Sequence, residues 1–170
     1  MATISKTFGT KNPSVTYTER QAVRVVAFNS SGNIALIYAK RDSYYKLPGG
    51  GIDSGEDRIL AAQREMMEET GATVRVREGG CIATAEEFRD GLHQISFCYI
   101  ADLLDESNPP SLTEDEIQDG LQHQWLPLID AKKAMAAAEP TSALGSFIKE
   151  RDIFLLDQAT KKQTQEIQVS

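Results

Sequence analysis

"LPGGGIDSGEDRILAAQREMMEETGA", residues 47–72, sets a glycine cluster against a segment that carries Glu65, Glu68 and Glu69 within five residues. From about Glu56 to Thr70 the stretch has no Pro or Gly and is rich in helix formers, and Gly71 suits a left-handed helix end. On a wheel of about 100° per residue, Arg64, Glu65, Glu68 and Glu69 share one face, with Ala61 among them. Ile59, Leu60, Met66 and Met67 fall on the opposite side, the one expected to bury. Like charges one turn apart cost roughly a few tenths of a kcal/mol per pair. A divalent cation between them removes that cost. Hard carboxylate oxygens are what Mg²⁺ and Mn²⁺ take, with substrate phosphates filling other positions. The acidic face therefore reads as a platform for metal-bound phosphate, and the glycines as a turn beside it.

Two other phosphate-binding readings of the glycines fail. A P-loop needs Lys and then Ser or Thr after its second glycine, but Gly50 and Gly55 are followed by Glu56 and Asp57. The dinucleotide fingerprint fails as well, because Ser54 stands where its third glycine belongs.

The 170 residues, 41% hydrophobic and 25% charged, suit one globular domain. A net charge of −7 argues against long nucleic acid as a partner. It leaves room for a small phosphorylated nucleotide substrate, since a metal ion supplies positive charge. Cys81 and Cys98 make neither a disulfide framework nor a CxxC metal site and read as reduced thiols in or near the core. No apolar run reaches the length of a signal peptide or a membrane span, so a cytoplasmic protein without a membrane partner is expected, as monomer or homodimer.

Along the chain, residues 1–16 read as a flexible lead-in, 17–160 as the domain and 161–170 as a frayed tail. "RQAVRVVAFN" and "IALIYAKR" read as a hairpin about the turn "SSGN". "TVRVRE", "CIATAEEF", "HQISFCYIADLL" and "QWLPL" read as strands, with "RDGL" as a turn. Residues 105–120 read as a polar loop, and two helices close the chain, the second weakened by Gly145. The expected class is α+β, a sheet between helices.

From Gly50 to Ala72 the chain resembles the Nudix box, G-x5-E-x7-R-E-U-x-E-E-x-G-U, where U is an aliphatic residue. Gly50, Glu56, Arg64, Glu65, Glu68, Glu69 and Gly71 all match, with Met66 at the first U. Seven such matches arise by chance on the order of once in 10⁶ chains of ordinary composition. Ala72, small for the last U, is the one departure. The resemblance implies an α/β/α sandwich with a mixed sheet and the box as loop–helix–loop. It also implies hydrolysis of a nucleoside diphosphate linked to another group by metal-activated water. Glu65, Glu68 and Glu69 would then hold Mg²⁺ or Mn²⁺, with the Gly49 carbonyl as a further ligand. One of the glutamates, with Glu65 favoured, would also take the proton of the attacking water, and Glu69 is a further catalytic candidate. Arg64 would orient Glu65 and pair with Glu56. A further acid from a late loop completes some sites of this kind, and Glu114, Asp115, Glu116 and Asp119 are its candidates here.

Substrate choice lies outside the box. No proline stands between Pro48 and Pro109, which counts against ADP-ribose, and Phe88 stands where relatives acting on dinucleoside polyphosphates carry tyrosine. The favoured substrate is thus a nucleoside triphosphate, oxidised or not, cut to monophosphate and pyrophosphate. ADP-ribose, dinucleoside polyphosphates and sugar nucleotides remain alternatives, as does a non-catalytic nucleotide-binding module. Arg41, Tyr44, Tyr45, Lys46 and Phe88 are candidates for contacts with base or phosphate. His93 and His123 are isolated and read as structural or exposed.

Overall fold

The computed structural model describes residues 3–170, so the first two residues of the expected lead-in lie outside the described residues. In chain order the first elements are β1 (Ile4–Phe8), β2 (Thr18–Phe28), β3 (Asn33–Ala39), β4 (Tyr44–Lys46), β5 (Gly49–Gly51) and α1 (Arg58–Thr70). Then come β6 (Thr73–Val76), β7 (Ala83–Arg89), β8 (Leu92–Asp105), α2 (Glu114–Asp119), β9 (Leu121–Pro127), α3 (Leu128–Ala137) and α4 (Ala143–Val169).

β2 and β8 are the spine of a mixed sheet and run parallel from Thr18↔Leu92 to Phe28↔Asp102. β7 folds back on β8 as a hairpin through Asp90 and Gly91, and β1 lies parallel to β7 at the edge. On the other side β2 meets β5 at Ala22–Arg24 and touches β3 only at Phe28↔Ile34. The expected hairpin of β2 with β3 is thus reduced to a single pair. The glycine strand occupies the edge of β2, and β3 instead pairs along its length with β9.

Side-chain alternation along β2 serves two layers. Val23, Val25 and Ala27 pack with Ala61, Ala62 and Met66 of α1, while Val26 and Phe28 pack with Ala131 and Met135 of α3 and Leu155 and Leu156 of α4. A strand covered on both faces reads as a continuous apolar run, and Arg24 is the one charge inside it. This is the α/β/α sandwich expected.

Three segments differ from the sequence expectation. β1 orders residues 4–8 of the lead-in, because Phe8, 5% exposed, enters the core against Phe154. α4 continues through residues 161–169, since nothing after Gly145 breaks a helix. The polar 105–120 loop contains α2, started by Thr113, whose hydroxyl accepts from the Glu116 N–H while Glu116 accepts from the Thr113 N–H.

Phe8→Ala should cost about 3 kcal/mol, the usual price of emptying a buried aromatic site. A urea midpoint equal to wild type would mean that the first strand carries no packing.

Candidate active site

α1 begins at Asp57, whose Oδ1 accepts from the Ile59 and Leu60 amides, and ends at Gly71 with φ 73°. Its buried face is rotated from the expected one: Met66 is buried as expected, but Ile59 and Leu60 are not. Ala61, Ala62, Glu65, Met66 and Glu69 are buried, whereas Ile59 and Leu60 are exposed. Two alanines let the helix approach the sheet, and the carboxylates that share their side go in with them.

Glu69 is 2% exposed and accepts from the Gly49 N–H (3.2 Å) and from Lys46 Nζ (3.2 Å) through Oε1. Its Oε2 lies 3.2 Å from the same ammonium yet accepts no hydrogen bond among the described residues. Burial pushes the Glu69 carboxyl up to about 7, with Lys46 opposing and Glu65 and Glu116 adding to the rise. Burial likewise raises Glu65, against the pull of Arg64. Its carboxylate lies over Gly50, where a Cβ would stand 2.5 Å from Oε1.

Arg64 ties this corner together. It donates to Glu56 from Nε (2.7 Å) and Nη2 (2.9 Å), to Glu65 from Nη1 (2.9 Å), and to the Gly51 carbonyl (2.9 Å). Nη1 also lies 3.2 Å from Glu68. The paired guanidinium drives Glu56 down to about 2. The repulsion that the sequence set up is thus already relieved by Arg64 and Lys46.

Of these groups, Glu65, Glu68, Lys46 and the glycine strand line a cleft of about 350 Å³, while Glu69, Arg64 and Glu56 stand behind them. Of the remaining sequence candidates, Tyr44, Glu116 and Asp119 line it. Arg41 instead pairs with Asp119 (2.7 Å), Tyr45 packs on Tyr38 (4.7 Å between centroids), and Glu114 and Asp115 face solvent. Phe88 is taken up by His93, stacked at 4.5 Å and 6°, with Tyr17 on its edge, and does not line the cleft. His93 is held between Glu19 and Glu86.

Four arginines of the cleft went unread in the sequence: Arg20, Arg24, Arg89 and Arg151. A signal for two of them was present. Arg24 interrupts "AVRVVAF", and Arg151–Asp152 stand among the apolar residues of a long helix; a charge in a buried segment is expensive unless used.

The donor set suits a hard divalent cation: oxygens only, three carboxylates on one helix, and an orphaned buried Oε2 on Glu69. Among the described residues no three acidic, His or Cys side chains converge closely enough to hold an ion as they stand, because Arg64 and Lys46 draw the carboxylates toward themselves. Glu65, Glu68 and Glu69, with the Gly49 carbonyl beside them, could hold one after ordinary side-chain rotation.

A family model described as the NUDIX domain matches residues 18–144. The chain belongs to the Nudix family. An RNA pyrophosphohydrolase of Wolbachia pipientis subsp. Culex pipiens is 46% identical over 55 residues, 31% of this chain and 33% of that protein. An ADP-ribose pyrophosphatase of Mycobacterium tuberculosis is 30% identical over 131 residues, 72% of this chain and 60% of that protein. The chain thus spans about a third of the first relative's length and under two thirds of the second's. The MutT protein from Methanosarcina mazei Go1 superposes with a TM-score of 0.60 at 15% identity, over 88% of this chain and 99% of that one, a likeness of fold. No helix among the described residues is long and apolar enough to cross a membrane.

Millimolar Mn²⁺ or Mg²⁺ should raise the melting temperature relative to EDTA. At a hundredfold excess over Kd the gain is about 2.7 kcal/mol, a shift of about 5–10 °C for a chain of this size. Glu69→Gln should reduce it. Superimposable melting curves with metal and with EDTA would count against an acidic metal platform.

Proposed function

We propose that the protein is a divalent-metal-dependent hydrolase of a nucleoside diphosphate linked to a further group. Its favoured substrate is a nucleoside triphosphate, oxidised or not, cut to monophosphate and pyrophosphate. The observation that carries this reading is the glycine strand held between buried Glu69 at Gly49 and Glu65 at Gly50, with Lys46, Glu65 and Glu68 lining the cleft beside it.

Mg²⁺ or Mn²⁺ bound there would supply Lewis acidity toward phosphoryl oxygens and a lowered pKa for water. The chain's own residues do the rest. Lys46 and the Gly49 amide hold Glu69 Oε1, so its second oxygen faces a fixed direction. Arg64 holds Glu65 Oε1, which leaves Oε2 to take the proton of the attacking water. Burial makes that carboxylate a better proton acceptor than an exposed one. Arg64, locked by Glu56, positions Glu65. Of the late acids, half-buried Glu116 and Asp119 line the cleft and are the ones placed to assist. No Cys, Ser or His is among the residues lining the cleft, which favours direct attack of water on phosphorus over a phosphoenzyme.

The likeness to an ADP-ribose pyrophosphatase over 131 residues supports a second reading, cleavage of a diphosphate conjugate. A hydrolysis screen with Mg²⁺ or Mn²⁺ over triphosphates, oxidised nucleotides, ADP-ribose, dinucleoside polyphosphates and sugar nucleotides decides between them. In ¹⁸O-water the label should enter a phosphate of one product; release of free base would contradict the reading. Glu65→Gln and Glu69→Gln should each lower kcat on the order of 10²–10⁴-fold with the fold intact. Glu116→Gln should cost more than Glu114→Gln. Near-wild-type turnover by both box variants would move the chemistry elsewhere.

A further inference from the structure

Opposite the glutamates, on the α4 side of the sheet, the cleft is lined by Arg20 and Arg24 of β2, Arg89 of β7 and Arg151 of α4. These charges repel one another: Arg24 is lowered to about 10 by its burial and then by Arg151, and Arg20 is lowered by burial and then by Arg89. A folded chain does not gather four guanidinium groups unless something negative compensates them.

Part of the compensation is internal. Arg151, 1% exposed, donates to Asp152 Oδ1 (2.7 Å) and Glu87 Oε1 (2.9 Å), both carboxylates buried. Glu87 also accepts from Arg89 (3.1 Å) and from Gln94 (3.1 Å), and Gln94 in turn accepts from Arg20. Asp152 accepts from the Leu47 amide (2.8 Å), which anchors the entry to the glycine strand. Four cations set against these two carboxylates leave a formal excess of two positive charges.

The unmet donors are in the same place. Arg24 Nε and Arg151 Nη2 are buried and have no hydrogen-bond partner among the described residues. Their side chains are 5% and 1% exposed and both residues line the cleft. The Arg24 guanidinium otherwise donates, among the described residues, only to the carbonyl of its neighbour Val23, at 3.2 Å. Buried donors without partners are costly, and here both belong to residues that line a cavity large enough for a ligand group.

We propose that Arg20, Arg24, Arg89 and Arg151 form a second anion subsite that binds the terminal phosphate of the substrate, beyond the diphosphate held at the glutamate end. The match is in charge and in geometry. A terminal phosphate is close to a dianion near neutral pH, whereas a bridging phosphate carries one charge. Guanidinium forks meet its several oxygens with charge-assisted hydrogen bonds. Gly50 and Gly51 make the connection between the two ends, because their bare backbone separates the Glu65 carboxylate from the Arg20 guanidinium. The subsite selects triphosphates over diphosphate conjugates that end in an uncharged sugar. The inference rests on the hydrolase reading for its substrate, and its anion site can be tested without that reading.

The test has two arms on the full chain. Inorganic orthophosphate is titrated in EDTA and followed by isothermal calorimetry, on wild type, Arg20→Gln and Arg24→Gln. Saturable binding is expected in wild type, weakened about tenfold or more by each substitution, the loss of a charge-assisted contact. Arg20 makes no ion pair with Glu87 or Asp152 and its replacement leaves the buried Arg151 pairs in place, so a folding defect does not mask the result. In Mg²⁺, the ratio of kcat/KM for a nucleoside triphosphate over a nucleoside diphosphate-sugar should fall in Arg20→Gln. No binding in EDTA, binding indifferent to both substitutions, or an unchanged ratio would each overturn the subsite. Phosphate binding without any metal-dependent turnover would instead sink the hydrolase reading and leave the subsite standing.

Discussion

The site depends on one steric constraint, a strand of bare backbone between two opposite charges. Successive residues of β5 face opposite ways. A Cβ on Gly50 would meet the Glu65 carboxylate at 2.5 Å, and a Cβ on Gly51 would meet the Arg20 guanidinium at 2.9 Å. Gly49 is tighter still: its φ is 149° and a Cβ would stand 2.0 Å from the Val23 carbonyl oxygen. Only glycines let the helix carboxylates and the sheet arginines approach one backbone from both sides. That approach makes one cleft out of two faces of the sheet.

Electrostatics then fixes how the layers close. On the α1 side Arg64 binds Glu56, Glu65 and the Gly51 carbonyl, so the helix is docked through charge as well as through Ala61, Ala62 and Met66. On the α4 side Arg151 bridges Glu87 of β7 and Asp152, which in turn holds the Leu47 amide. Buried ion pairs of this kind contribute little net stability, since desolvation offsets the attraction. Their consequence here is position. Both anchors reach the segment from Leu47 to Gly51, and both leave unmet polar atoms in or beside the cleft: Glu69 Oε2 on one side, Arg24 Nε and Arg151 Nη2 on the other.

The helix that carries the box shows how a correct element can be rotated from its expected placement. Residue periodicity assigned Ile59, Leu60, Met66 and Met67 to the core because aliphatic burial usually dominates, and of these Met66 is fully buried. The observed interface is built from small residues and acids, with Leu60 58% exposed and Glu69 2% exposed. The carboxylates tolerate burial because the neighbouring chain supplies the Gly49 amide, Lys46 and Arg64. Arg64 is on the wheel beside them, but Lys46 and the Gly49 amide come from the segment before the helix, and a helical wheel does not contain them.

The sequence by itself determined most of the elements, the sandwich architecture, the family resemblance and the acidic half of the candidate site. These rest on local rules: helix formers between Asp57 and Gly71, alternation in the strands, and a fixed spacing of Gly50, Glu56, Arg64, Glu65, Glu68 and Glu69. Only the tertiary structure decided which helix face is buried, that β2 pairs along its length with β8 and with β3 only at Phe28↔Ile34, and that Phe88 stacks on His93 away from the cleft. It also decided that Glu116 and Asp119, but not Glu114 or Asp115, reach the cleft. The basic half was illegible for the same reason. Arg20 and Arg24 come from β2, Arg89 from β7 and Arg151 from α4, and they meet through pairings made across more than a hundred residues, between Leu47 and Asp152. Spacing along a chain records contacts within one element; contacts between elements are settled by which faces pack and which charges must be buried together.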